Sequence, residues 1–243
     1  MTGTRRRDLD QIGRERGTSR SSLYRDLLRR YEPFLAPFRD DAFDLLEIGV
    51  GDGSSLHVWL EYFPNARIVG LDIRRVFVPD LPPRCRIVHG PQGNGALLAD
   101  LLRDHRFRVV IDDGSRDGAQ QWASFSALFP AIEPSGFYAC EGVYDDSPEA
   151  LQDPAAFGNA AAQADASLRD RLPRASRMGP FLAPAEPGLP IVLTSLAWTL
   201  AGSPRGFLPD DHPAFASVLR RLDTVTFLPM AVVATARGRE HER

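Results

Sequence analysis

The 243-residue chain contains no lysine; all 29 of its basic residues are arginine. Set against 32 acidic residues, they leave a formal net charge of −3. That balance offers no electrostatic footprint for nucleic acid or for an anionic membrane surface, so neither is expected as a partner. The exclusive use of arginine reads as a coding bias rather than a mechanism. Cysteine is nearly absent, with only Cys85 and Cys140. Neither has a neighbour at metal-ligand spacing, and both are expected to be buried packing residues. No apolar run approaches the roughly 20 residues that span a bilayer. The N-terminus is polar, with Arg5-Arg6-Arg7 and no apolar core of a signal peptide. The expected location is therefore the cytoplasm, with both thiols reduced.

What is present is the make-up of a globular α/β chain, 43% hydrophobic and 25% charged. The length fits one such domain with appendages, two small domains being the alternative. The chain is organised around Leu45-Leu46-Glu47-Ile48-Gly49-Val50-Gly51-Asp52-Gly53-Ser54-Ser55. A buried strand runs from Asp44 to Gly49, a tight loop follows, and Ser54 or Ser55 caps a helix whose apolar residues include Leu56, Trp59, Leu60 and Phe63. Further apolar runs ending in acids follow at Arg67–Ile73, Phe107–Asp113 and Phe137–Glu141, with a shorter run at Cys85–His89. Helical patterns at Ala96–Arg103 and Trp122–Ile132 separate them. Continuous apolar strands alternating with helices indicate a parallel sheet covered on both faces. Ligands in such sheets sit beyond the carboxyl ends of the strands, near the switch in strand order. Glu47, Asp72, Asp112, Asp113 and Glu141 all lie at those ends, which points to one polar site.

Before this core, residues 1–18 show no apolar period and read as a solvated terminus. From Ser21, Leu23, Leu27 and Tyr31 recur at helical spacing until Pro33 and Pro37 break the pattern. Residues 1–40 are thus an N-terminal helical segment, and 41–243 form the α/β domain. Within it, about 145–221 is an irregular, mostly helical insertion, including a helix over Pro213–Leu222. Thr224–Leu228 and Ala231–Thr235, separated only by Pro229-Met230, predict a terminal antiparallel hairpin.

Glycines at 49, 51 and 53 let backbone approach a ligand without Cβ clashes, although a structural strand-to-helix turn would use the same residues. Asp72, 19 residues after Gly53, can accept two hydrogen bonds from a ribose diol; a helix cap or exposed strand end is its plainer role. Glu47 makes the loop a poor cradle for phosphate.

Glu47-x-Gly49-x-Gly51-x-Gly53, Asp72 and the terminal hairpin resemble class I S-adenosylmethionine-dependent methyltransferases. More narrowly, Leu46-Glu47-Ile48-Gly49-Val50-Gly51, Val69-Gly70-Leu71-Asp72, Ile111-Asp112-Asp113-Gly114-Ser115 and Leu128-Phe129-Pro130 resemble the macrolide-sugar O-methyltransferases that act on deoxysugar hydroxyls of antibiotics. The resemblance covers roughly residues 17–145 and, more loosely, the last 20. It implies a Rossmann-like fold with a seven-stranded, mostly parallel sheet of order 3-2-1-4-5-7-6 flanked by helices, which separates Cys85 from Cys140. It also implies S-adenosylmethionine as cofactor. Glu47 and the backbone of Gly49, Gly51 and Gly53 would face its methionine part, Ser55 its carboxylate, Asp72 its ribose, Gln92 its adenine, and Asp112 its methionine end. Pro91 stands where the family carries an acid before that glutamine.

The departures bear on the reaction. The narrower group reads Asp-Asp-Gly-Ser-His, with the histidine as general base; this chain has Arg116, and a guanidinium is no base at neutral pH. Relatives end strand five in Glu-Asp and use those acids with the second Asp of the earlier block to hold a divalent metal. Here the pair is Glu141-Gly142, leaving Asp113 and Glu141 for a magnesium ion, with Asp145 or Asp146 as substitutes for the missing ligand. Asp113, Arg116 and Glu141 are the expected catalytic residues: either acid assists the proton, and Arg116 clamps an anionic group of the acceptor or forms an ion pair. His89, His212 and Tyr144 are further candidate bases, each with a structural role as the plainer reading. The expected function is methyl transfer to an oxygen of a small-molecule acceptor, a secondary metabolite or its sugar. The same cofactor used in a cyclisation, or a non-catalytic binding partner, are the alternatives, and a homo-oligomer is left open.

Overall fold

The computed structural model describes residues 6–142, 213–228 and 231–238. Its centre is a seven-stranded sheet: β1 (Asp44–Ile48), β2 (Arg67–Asp72), β3 (Cys85–His89), β4 (Phe107–Asp112), β5 (Phe137–Glu141), β6 (Leu222–Leu228) and β7 (Ala231–Ala236). The order is β3-β2-β1-β4-β5-β7-β6, as expected. β1 pairs parallel with β2 on one side and with β4 on the other, Leu46 standing opposite Val69 and Val110. β7 inserts antiparallel beside β5, and β6 closes the edge. Cys85 and Cys140 lie on β3 and β5, both buried and free.

The period of two along each strand divides the apolar side chains between two cores. Leu45, Ile68, Val109 and Phe137 point to one face, with Leu9, Ile12, Tyr31, Trp59 and Phe63. Leu46, Val69, Val110 and Tyr138 point to the other, with Leu98, Leu101, Phe125 and Leu128. The first face is covered by α1 (Leu9–Arg16), α2 (Leu27–Leu35) and α3 (Ser54–Tyr62), the second by α4 (Gly95–Asp104), α5 (Gly118–Leu128) and α6 (Pro213–Arg221). Burial on both faces is why these strands are continuous apolar runs rather than alternating ones. Each fully buried Leu, Val or Phe contributes about 1.5–3 kcal/mol relative to exposure.

The N-terminal segment departs from its sequence reading in three places. Residues 9–16 form a helix, not a solvated stretch, because Asp8 and Gln11 make a reciprocal capping box and two apolar residues suffice to anchor it: Leu9 and Ile12 are fully buried. The helix expected from Ser21 starts only at Leu27; Leu23, counted in its apolar stripe, is exposed. Asp26 holds a left-handed φ of 54° and turns the chain sharply into α2. Pro33 lies inside α2 rather than ending it at once; it leaves the Arg29 carbonyl without its helical N–H partner, and the helix runs only two residues further, to Leu35. The cap of α3 is Gly53, with no side-chain cap bond, instead of a serine.

Of the expected insertion at about 145–221, the described residues include only the helix Pro213–Arg221; Tyr144, Asp145, Asp146 and His212 lie outside them. Among the described residues no helix is long and apolar enough to cross a membrane.

Candidate active site

A cleft of about 470 Å³ opens at the carboxyl ends of β1, β2 and β4, where the strand order reverses. Gly49 and Gly51 from the loop after β1, Asp72 from β2, Gln92 from the loop after β3, and Asp113 after β4 all line it. Ser55, from the first turn of α3, lines it as well, so the topology gathers six of the expected residues at one site. Gly49 is required by close approach as much as by any ligand. Its φ is 84°, and a Cβ there would lie 2.2 Å from the Asp113 carbonyl oxygen. The loop after β1 is thus pressed against the loop after β4.

Asp72 braces the glycine loop. Its Oδ2 accepts from the amides of Val50 (3.0 Å) and Gly51 (3.1 Å), and its Oδ1 from the amide of Arg74 (2.8 Å). Those bonds outweigh burial and hold the carboxyl below its ordinary range. A carboxylate offers about four lone-pair sites, so Oδ1 retains capacity for a ligand hydroxyl.

Gln92 and Asp112 form a second support. Asp112 is fully buried and does not line the cleft. It accepts from Gln92 Nε2, Ser124 Oγ, Tyr138 O–H and the Gly114 amide. Burial pushes its carboxyl up to about 6 although every one of these donors pulls it down. Gln92 Oε1 in turn accepts from the Ser115 amide at 2.5 Å. The two side chains thereby tie the loop after β3 to the loop after β4 beneath the cleft.

The third cluster contains residues that the sequence did not single out. Glu47, Asp113 and Glu141 converge from β1, β4 and β5, and Arg20 reaches all three. Its Nη1 donates to Glu47 at 2.8 Å, its Nη2 to Asp113 at 3.0 Å and its Nε to Glu141 at 2.7 Å. Arg25 adds Nη2 contacts of 2.7 Å to Asp113 and 2.9 Å to Glu141. The Arg20 side chain is 4% exposed, Glu47 and Glu141 are 0% exposed, and Asp113 is 27% exposed. Burial opposes the charge on Arg20, but Glu141, Glu47 and Asp113 outweigh it and hold the guanidinium protonated. Burial pushes Glu47 up against the pull of Arg20, and it pushes Glu141 up to about 7. Glu47 also accepts from Ser55 Oγ (2.6 Å) and Trp59 Nε1 (3.2 Å), which ties both its oxygens to the protein. The signal for Arg20 and Arg25 was available in one respect: three acids at adjacent strand ends need counter-charge once buried, and no histidine or lysine stands near them in sequence.

Arg116 is exposed and does not line the cleft. Its stem packs over Gly142, where an added Cβ would lie 3.3 Å from Arg116 Cγ; Gly142 itself has a φ of 63°. The two departures noted in the sequence are thus neighbours in space. His89 ends β3 and is exposed. As arranged, Asp113 and Glu141 do not fit a divalent cation, because guanidinium nitrogens stand on them; among the described residues no group of three His, Cys, Asp or Glu could hold a metal ion.

No family model matches the chain. It is 33% identical over 151 residues to mycinamicin VI 2''-O-methyltransferase of Micromonospora griseorubida, covering 58% of this chain and 37% of that protein. It is 37% identical over 135 residues to 8-demethyl-8-alpha-L-rhamnosyl tetracenomycin-C 2'-O-methyltransferase of Streptomyces olivaceus, covering 48% and 35%. The demethylmacrocin O-methyltransferase of Streptomyces fradiae is 30% identical over 169 residues, covering 63% and 42%. The chain therefore spans well under half the length of these curated relatives. Among solved structures, the MycE methyltransferase of the mycinamycin biosynthetic pathway in complex with Mg, SAH and mycinamycin VI superposes with a TM-score of 0.69 at 25% identity, covering 99% of this chain and 58% of that one. By its strand order, its cleft and these likenesses, the chain has the class I S-adenosylmethionine-dependent methyltransferase fold, and over the part it shares with them it resembles the macrolide-sugar O-methyltransferases.

Proposed function

We propose that this chain binds S-adenosylmethionine and serves methyl transfer to a hydroxyl of a small secondary metabolite or its sugar. The observation that carries the reading is the cleft at the β1/β4 switch, which the glycine loop, Asp72, Gln92 and Asp113 line together. The relatives' O-methyltransferase names and the SAH held by the MycE structure support it. The residues present fit such a cofactor. Asp72 keeps an acceptor site for a ribose hydroxyl, Ser55 lines the cleft at the start of α3, and an added Cβ at Gly51 would meet no described residue within 4 Å.

When bound, S-adenosylmethionine supplies an electrophilic methyl group on a sulfonium. This chain's residues then have three tasks. The loop after β1 and Asp72 fix the donor, and alignment of this kind can supply much of the barrier reduction in a displacement. Asp113, the one acid of the arginine cluster with exposed surface, accepts a hydrogen bond from the acceptor hydroxyl and orients its oxygen for in-line attack. Glu141, fully buried behind Arg20 and Arg25, acts through them as a positioning residue. Arg116, whose stem lies against Gly142, cannot serve as the base.

Titration calorimetry with S-adenosylhomocysteine tests the cofactor assignment. The parent is expected to bind one equivalent, and Asp72→Ala to weaken binding by about tenfold or more, the worth of one or two lost hydrogen bonds from a buried carboxylate. Absence of heat up to millimolar ligand in the parent would overturn the reading. Mass spectrometry of acceptor incubations, scored for one added methyl, then separates transfer from a rearrangement on the same cofactor.

A further inference from the structure

Two neighbouring carboxylates such as Asp113 at the cleft and Glu141 behind it can hold a divalent cation, but here their oxygens already have partners. All four oxygens of Asp113 and Glu141 have a guanidinium nitrogen within hydrogen-bond distance. Arg25 covers Asp113 Oδ1 and Glu141 Oε2, Arg20 covers Glu141 Oε1, and both reach Asp113 Oδ2. The segment that carries the two arginines is held from behind. The amides of Leu27 and Leu28 donate to the Arg20 carbonyl at 2.9 and 3.1 Å. Asp10 of α1 accepts from both the amide and the hydroxyl of Ser22 at 2.6 Å. Next to Glu141, Gly142 brings no side chain, and the Arg116 stem lies across the place where one would begin. Charge closes the comparison: Arg20 and Arg25 bring to Asp113 and Glu141 the same +2 that a divalent ion would.

We propose that Arg20 and Arg25 are the resident counter-cations of the Asp113–Glu141 pair, and that a divalent metal ion reaches this pair only by displacing them. Metal occupancy and docking of the Ser19–Asp26 segment are then mutually exclusive, and each weakens the other by the same factor. The inference concerns the carboxylates alone and holds whichever cofactor fills the cleft. Aqueous Mn²⁺ is the probe, followed by electron paramagnetic resonance, in which protein-bound ion loses the sharp signal of the free ion. The parent is expected to show only weak, non-stoichiometric binding up to millimolar Mn²⁺. Arg25→Ala, which uncovers Asp113 Oδ1 and Glu141 Oε2, is expected to bind Mn²⁺ at least about tenfold more tightly, in keeping with two freed hard oxygen ligands. Adding Asp113→Asn to that variant should abolish the gain. A parent that binds one Mn²⁺ per chain at micromolar concentration, with Asp113→Asn removing it, overturns the proposal. So does a folded Arg25→Ala protein with no gain in affinity. Should Arg25→Ala fail to fold, the parent titration with and without Asp113→Asn still decides.

Discussion

Arg20 satisfies three carboxylates at once, and the energetics of buried charge explain why it must. Burying an ion pair gains little over apolar packing, whereas removing one partner of a buried pair costs about 3–5 kcal/mol because the other charge is stranded. The arginine cluster therefore specifies how the N-terminal segment docks more than it stabilises the fold. Asp112 is a different case: a buried carboxyl with many donors and, among the described residues, no counter-charge in contact. Its folded-state value of about 6 lies above the ordinary value of 3.8, so the folded protein holds this proton more tightly than the unfolded chain does. The stabilisation from its protonation is complete below about pH 4 and is lost as pH rises through about 6. Over that window the parent should lose on the order of 2–3 kcal/mol that Asp112→Asn does not lose. Urea denaturation of both proteins at pH 4, 5, 6 and 7 measures it (~1-unit steps across the window). A stability difference between them that stays flat with pH would contradict the assignment.

At the scale of the element, the loop after β1 looks uniform in sequence, yet its glycines have unequal tasks. At Gly49 the left-handed φ coincides with backbone packing against Asp113, whereas at Gly51, also left-handed at 59°, an added Cβ meets none of the described residues within 4 Å. Gly51→Ala should therefore cost only the conformational strain of about 1–2 kcal/mol. Gly49→Ala should cost more, about 3 kcal/mol or above, since neither backbone can yield without displacing β4 from β1. Thermal melts of the two variants test this ordering; equal losses would show that the two loops separate easily. The same pairing of loops positions the cleft wall, so Gly49→Ala should also weaken S-adenosylhomocysteine more than Gly51→Ala does.

For the whole molecule, the N-terminal segment joins the sheet instead of trailing from it. Leu9, Ile12, Leu27 and Tyr31 share a core with β1, β4 and β5, and Arg20 spans 121 positions of sequence to Glu141. Amide exchange should reflect this. The Leu27 and Leu28 amides are expected to exchange as slowly as those of β1, and Arg25→Ala to speed them while leaving β1 unchanged. Exchange of these amides within seconds in the parent would mean that the segment detaches independently of the sheet.

Local pattern along the chain fixes the sheet, its strand limits to within a residue or two, the hairpin and the acids at the strand ends. Parallel strands buried on both faces must be continuous apolar runs, and glycine and proline mark where they stop; both signals are local. The strand order came from a family resemblance carried by Glu47–Gly53, Asp72 and Asp112–Ser115. What those acids touch depends on how distant elements pack against them. Whether Asp112 faces the cleft or sits beneath it turns on the placement of Gln92, Ser124 and Tyr138, which come from separate elements. That Arg20 and Arg25, among 29 arginines, neutralise Asp113 and Glu141 has no local signature at all. Ion pairs need proximity in space, and pattern along a chain carries no record of which distant side chain supplies the charge.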